Sequence, residues 1–176
     1  MRTFLDITAI IADGQHLSAR SVPTLLRRVR LFDKHGLLPV EREDTGRREG
    51  RLDVDGACLA AIFCELLDMG FDVEMCREVA ARIRKYDLYR ADDAPLLEAV
   101  IDAIGNQSAV ALTLQLILNG KGEKFHRVRF DGAETKDPLV TETQTLERQL
   151  ACETVRGETR LDLNVILAPV IAAYGE

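Results

Sequence analysis

The sequence predicts a mainly α-helical protein, and three observations carry that expectation. Apolar residues recur at three- and four-residue intervals through most of the chain. Capping residues precede these periodic runs, and Gly or Pro follows them. The 176 residues are 47% apolar, which suits one domain, or one small domain plus a further segment, with a real core. Aromatics are few (6 Phe, 3 Tyr, no Trp), so aliphatic side chains must fill most of that core.

The first helix is expected over residues 4–12, where Phe4, Ile7, Ile10 and Ile11 share a face and Asp13-Gly14 ends the run. A second helix follows, with Ser18, Ser21 or Thr24 as its cap, Pro23 in its first turn if Ser21 caps it, and Gly36 just past its end. Its apolar stripe is Leu25, Leu26, Val29 and Phe32, and Pro39 prevents its resumption. Residues 40–51 are polar and Gly-containing, an exposed loop or short hairpin. Asp53 is placed to cap a third helix running to about Met69, with Leu59, Ile62, Phe63, Leu66 and Leu67 inward. Gly70-Phe71 turns the chain, and Asp72 caps a fourth helix from Val73 to about Tyr89.

Beyond a polar break at 90–94, Pro95 opens a helix carrying Leu96, Leu97, Val100, Ile101 and Ile104. Residues 109–118 read two ways. Their alternation suits a strand, with Asn119-Gly120 turning a hairpin into 124–130. Their Ala, Leu and Gln content suits a helix, which is the favoured assignment. A polar helix is expected from Leu139 to about Val155, and a final apolar segment, containing Pro169, from Leu161 to Tyr174.

The net charge of −6 argues at first against nucleic acid, but its distribution matters more. Residues 17–51 hold nine Lys/Arg against five acids, whereas 91–176 hold eight against fourteen. One basic stretch is set in an acidic chain. A DNA-reading helix needs an apolar face to dock on its domain and long donors on the other face, and the second helix has both. Arginine can fork onto guanine or clamp phosphate. The candidate contacts are Arg20, Arg27, Arg28, Arg30, Lys34, Arg42, Arg47, Arg48 and Arg51. The plainer alternative is a solvated face, these arginines pairing with Glu41, Glu43, Asp44 and Glu49.

The order of motifs is informative. The second helix ends Val29-Arg30-Leu31-Phe32-Asp33-Lys34-His35-Gly36-Leu37-Leu38-Pro39. An Arg/Gly loop follows, then a corner Leu67-Asp68-Met69-Gly70-Phe71-Asp72-Val73. Over roughly residues 5–85 this resembles the MerR family of winged helix-turn-helix transcription regulators. Leu31 stands where that family usually has a tyrosine, and the wing Arg47-Arg48-Glu49-Gly50-Arg51-Leu52 lacks one too. The resemblance implies a DNA-binding domain over 1–88 and a dimerisation, effector or partner-binding segment over 93–176. It implies a homodimer on an inverted repeat of double-stranded DNA, paired through the helix from about residue 94, with RNA polymerase or another regulatory protein as a further partner. Two alternatives stand beside it: a protein–protein adaptor or antirepressor reusing the fold, and a phage or plasmid excisionase-like architectural factor.

No nucleophile elbow, phosphate-binding loop or paired-metal signature occurs, so neither an enzyme nor a cofactor is expected. Four cysteines (58, 64, 76, 152) lack a Cys-x-x-Cys pattern and read as small buried thiols, with a metal or thiol sensor as the sharper alternative. His16, His35 and His126 are isolated. No run of eighteen apolar residues and no secretory pattern at the start occur, so cytoplasm is the expected location.

Overall fold

The computed structural model describes residues 1–42, 50–89, 95–132 and 153–175. Both helices and sheets are present: among the described residues there are six α-helices and two three-stranded antiparallel sheets. A mainly α fold is thus only part of the answer. The chain divides into two compact units, Met1–Ala80 with Asn164–Glu176, and Ala81–Leu163. The sequence division at 1–88 and 93–176 left the last helix with the second segment; here it belongs to the first unit.

The first unit opens with β1 (Arg2–Thr3) and α1 (Phe4–Gly14). Thr3 and Asp6 form a capping box that satisfies backbone donors at the helix start. Phe4, Ile7, Thr8 and Ile11 are buried on one face. A 3₁₀ turn (Ala19–Ser21) leads into α2 (Val22–Lys34), whose Leu25, Val29 and Phe32 are buried. Pro23 lies in its first turn as expected, but the Ser21 side chain makes no capping bond. The end of α2 is set by Gly36 at φ +65°: the N–H of Leu37 reaches the carbonyl of Phe32, and that of Gly36 reaches Asp33. This is the left-handed closure for which glycine carries no Cβ penalty.

Strands β2 (Glu41–Arg42) and β3 (Gly50–Leu52) pair antiparallel, which selects the hairpin reading over the loop; residues 43–49 lie outside the described residues. β1 adds to the other side of β3, an unexpected third strand. Asp53 caps α3 (Val54–Asp68) by accepting from the N–H of Gly56 at 2.8 Å. α3 is buried on most of its surface, and its Phe63 meets Phe32 edge to face at 5.4 Å. Asp72 caps α4 (Val73–Tyr89), whose first turns belong to this unit.

The last helix, α6 (Leu163–Gly175), returns to the sheet of this unit. The Tyr174 hydroxyl donates to the Leu52 carbonyl at 2.9 Å, and the Arg2 guanidinium donates to the Ala173 carbonyl while lying 5.4 Å from the Tyr174 ring centre. Gly14 is the last residue of α1, as expected. His16 takes the left-handed position, at φ 54°, and a Cβ on Gly14 would fall 2.7 Å from the Pro169 ring.

In the second unit, α5 (Leu96–Gly105) buries Leu96, Leu97 and Val100. Asp87 accepts from the N–H of Leu96 at 2.8 Å, at the start of this helix. Residues 109–118 are not helical. β4 (Ala111–Leu118) is the centre of a sheet ordered β5-β4-β6, flanked by β5 (Lys124–Asp131) and β6 (Thr154–Asp162). Pairing on both sides outweighs helix propensity here: Leu112 and Leu114 are buried on one face of the strand, and Ala111, Thr113 and Ile117 on the other. The helix expected from Leu139 to Val155 lies mostly outside the described residues, but its end, Thr154-Val155, is strand.

Candidate nucleic-acid interface

α2 positions the candidate cations, and it sorts them. Leu25, Val29 and Phe32 hold the helix to the unit with 0–2% exposure. On the far side Arg27, Arg30 and Lys34 are exposed, three and four residues apart, so they fall within about 60° of one another around the helix. None of the three is ion-paired among the described residues. Together they make a single outward cationic stripe.

Two other candidates serve the scaffold instead. Arg28 turns to α3 and donates to Asp68 at 2.7 Å, and that bond holds its proton more firmly than usual. Arg42 on β2 donates to both carboxylate oxygens of Asp33, at 2.6 and 2.8 Å, tying the strand to the end of α2. Of the expected internal partners, Glu43, Asp44 and Glu49 lie outside the described residues; among the described residues Asp33 pairs with Arg42 and Asp68 with Arg28. Arg51 is exposed on β3, opposite Glu41 in the strand register. Arg47 and Arg48 lie outside the described residues.

Arg20 is exposed in the 3₁₀ turn. With Leu17, Ser21, Thr24, Leu25, Arg28 and Asp68 it lines a depression of about 300 Å³ at the start of α2. Sequence reasoning missed Thr24. It is exposed three residues before Arg27, on the same stripe, and that spacing was the available signal. Leu31, at the position of the absent tyrosine, is half-buried. At the other end of α2, His35 Nδ1 lies 3.0 Å from Arg77, which also pairs with Glu74 at 2.6 Å. A guanidinium only donates, so the imidazole nitrogen accepts here.

Cys58, Cys64 and Cys76 are buried, and burial pushes each thiol up to about 12. Such thiols stay protonated and poorly nucleophilic at neutral pH. Among the described residues no group of three His, Cys, Asp or Glu is placed to hold a metal ion, and no helix is long and apolar enough to cross a membrane.

No protein-family profile, curated protein or solved structure matches this chain.

Proposed function

We propose that the first unit is a winged helix-turn-helix module that binds double-stranded DNA, with α1 and α2 as the helix pair, α2 as the reading helix and the β2–β3 pair as the wing. The protein acts as a homodimeric transcription regulator in this reading. The observation that carries it is the outward stripe of Arg27, Arg30 and Lys34, which is neither buried nor ion-paired among the described residues. Thr24 extends the stripe with a hydroxyl suited to a phosphate or base edge. The basic stretch at 17–51 and the motif order add support.

The test is fluorescence anisotropy with genomic fragments over a salt series. Affinity should fall steeply with salt, and each of Arg27→Ala, Arg30→Ala and Lys34→Ala should flatten the log–log slope by about 0.9 if the residue meets a phosphate. Absence of binding even at about 50 mM salt overturns the reading.

A second reading, a protein–protein adaptor on the same framework, draws on a specific observation. Arg28 and Arg42 are each ion-paired to an acid of the same chain, and the whole chain carries −6. For an adaptor, the salt dependence of DNA binding is absent.

A further inference from the structure

The homodimer reading needs a surface, and α5 does not offer its apolar stripe. That helix spans ten residues, and its Leu96, Leu97 and Val100 are already buried. β6 offers a different kind of surface. The strand order β5-β4-β6 leaves one side of β6 without a neighbouring strand among the described residues. The side chains of Thr154 to Glu158, Arg160 and Asp162 are exposed. The N–H of Leu163 donates to the Val110 carbonyl, on the β4 side. Backbone groups alternate along a strand, so those of Thr159 and Leu161 face β4, and those of Glu158, Arg160 and Asp162 face outward.

Natural edges are commonly blunted by Pro, by charged side chains (Lys above all) or by a bulge. β6 has neither Pro nor Lys, and its bulge falls at Arg156, leaving the stretch from Gly157 to Asp162 regular. Charges alternate along it: Arg156, Glu158, Arg160, Asp162. The cations of β5 are already paired, Arg127 with Glu153 and Arg129 with Asp131, each at 2.5 Å. On β6, Glu158 accepts from Gln115 at 2.7 Å and Arg160 has no ion-pair partner among the described residues.

We propose that the outer edge of β6 pairs antiparallel with β6 of a second copy, in the register that sets Thr159 opposite Thr159. The proposal rests on the homodimer part of the reading above and supplies its surface. That register brings Glu158 opposite Arg160 of the second copy, twice by symmetry, and both are residues whose backbone groups face outward. Arg156 comes opposite Asp162 in the same way, next to the bulge. The neighbouring registers fail on charge. Centred on Glu158, the pairing sets Glu158 against Glu158 and Arg156 against Arg160; centred on Arg160, it sets Arg160 against Arg160 and Glu158 against Asp162. Like charges directly opposite destabilise a sheet. The two sheets then join into one of six strands.

Sedimentation equilibrium of the full chain without DNA tests this. The unaltered protein should be a dimer. Glu158→Arg and Arg160→Glu should each weaken self-association by at least about tenfold, and the two together should restore it, because unlike charges again face each other. Circular dichroism confirms that each variant is folded. Thr159→Cys, made with Cys152→Ser, should form a disulfide-linked dimer under mild oxidation, since residues opposite in a pair without hydrogen bonds approach closely enough; Thr154→Cys should not. A monomeric unaltered protein, a folded double reversal that stays monomeric, single reversals that dimerise normally, or a Thr159→Cys protein that does not cross-link overturns the proposal. A monomer that binds DNA with steep salt dependence removes the dimer surface and leaves the DNA reading standing. A dimer of this register that ignores DNA does the reverse.

Discussion

Arg28 and Asp68 join α2 to the end of α3 through a 2.7 Å ion pair, while Arg27, the neighbouring residue, points to solvent. One step along the helix, about 100°, separates a scaffold cation from a candidate DNA contact. The two should therefore fail differently. Arg28→Ala should lower stability by about 0.5–1 kcal/mol, the range for a partly exposed pair, with little change in the salt slope of DNA binding. Arg27→Ala should leave stability within about 0.5 kcal/mol and flatten that slope. Urea denaturation and anisotropy titrations on the same two proteins read both. Equal loss of stability in the two variants would contradict the division.

The helices of the first unit were legible because each carries local signals that agree. Asp53 and Asp72 cap the helices they precede, Gly36 closes α2, and the stripe Leu25, Val29, Phe32 faces inward. What was illegible depended on distant partners. β1 is only Arg2–Thr3, and it exists because β3 lies beside it. Residues 109–118 have helix-favouring composition, and only the flanking strands decide for a strand. The candidate site was legible as a set of cations but not as a geometry. Nothing local tells Arg28 from Arg27, because the acid that claims Arg28 lies forty residues away. Gly14 ends α1 as its neighbours suggest, but its second role, leaving room for Pro169 far along the chain, has no local signal.

That contact makes the docking of α6 testable. A Cβ at Gly14 would meet the Pro169 ring at 2.7 Å, and a proline ring on a helix has little room to yield. Gly14→Ala should destabilise the protein by about 1–3 kcal/mol, the usual range for overpacking, despite alanine's better helix propensity. Pro169→Ala in the same chain should recover much of the loss, and a double-mutant cycle measures the coupling. Additive effects would mean that α1 and α6 do not meet here.

Tyr174 ties the same helix to the sheet. Tyr174→Phe removes the donor to the Leu52 carbonyl and should cost about 1 kcal/mol. A wholly exposed tyrosine would show no loss, so an unchanged denaturation midpoint speaks against the α6–β3 contact.

The half-buried Tyr174 hydroxyl and the buried thiols also set an alkaline limit. Burial pushes Cys58, Cys64 and Cys76 up to about 12, and Tyr174 likewise. In the unfolded chain these groups ionise near about 8.5 and 10. The folded state thus holds its protons more tightly, so the contribution to stability is complete below about pH 8.5 and is lost as pH rises toward 12. The urea midpoint should therefore be nearly level from about pH 7 to 8.5 and should decline above that. Cys64→Ala should make the decline shallower, since it removes one linked proton. At about pH 8, with Cys152→Ser to remove the remaining thiol, the folded protein should react with a disulfide reagent far more slowly than the urea-unfolded chain. Rapid reaction of these thiols in the folded protein would show that α3 and α4 open readily, and it would reinstate a thiol-sensing role for them.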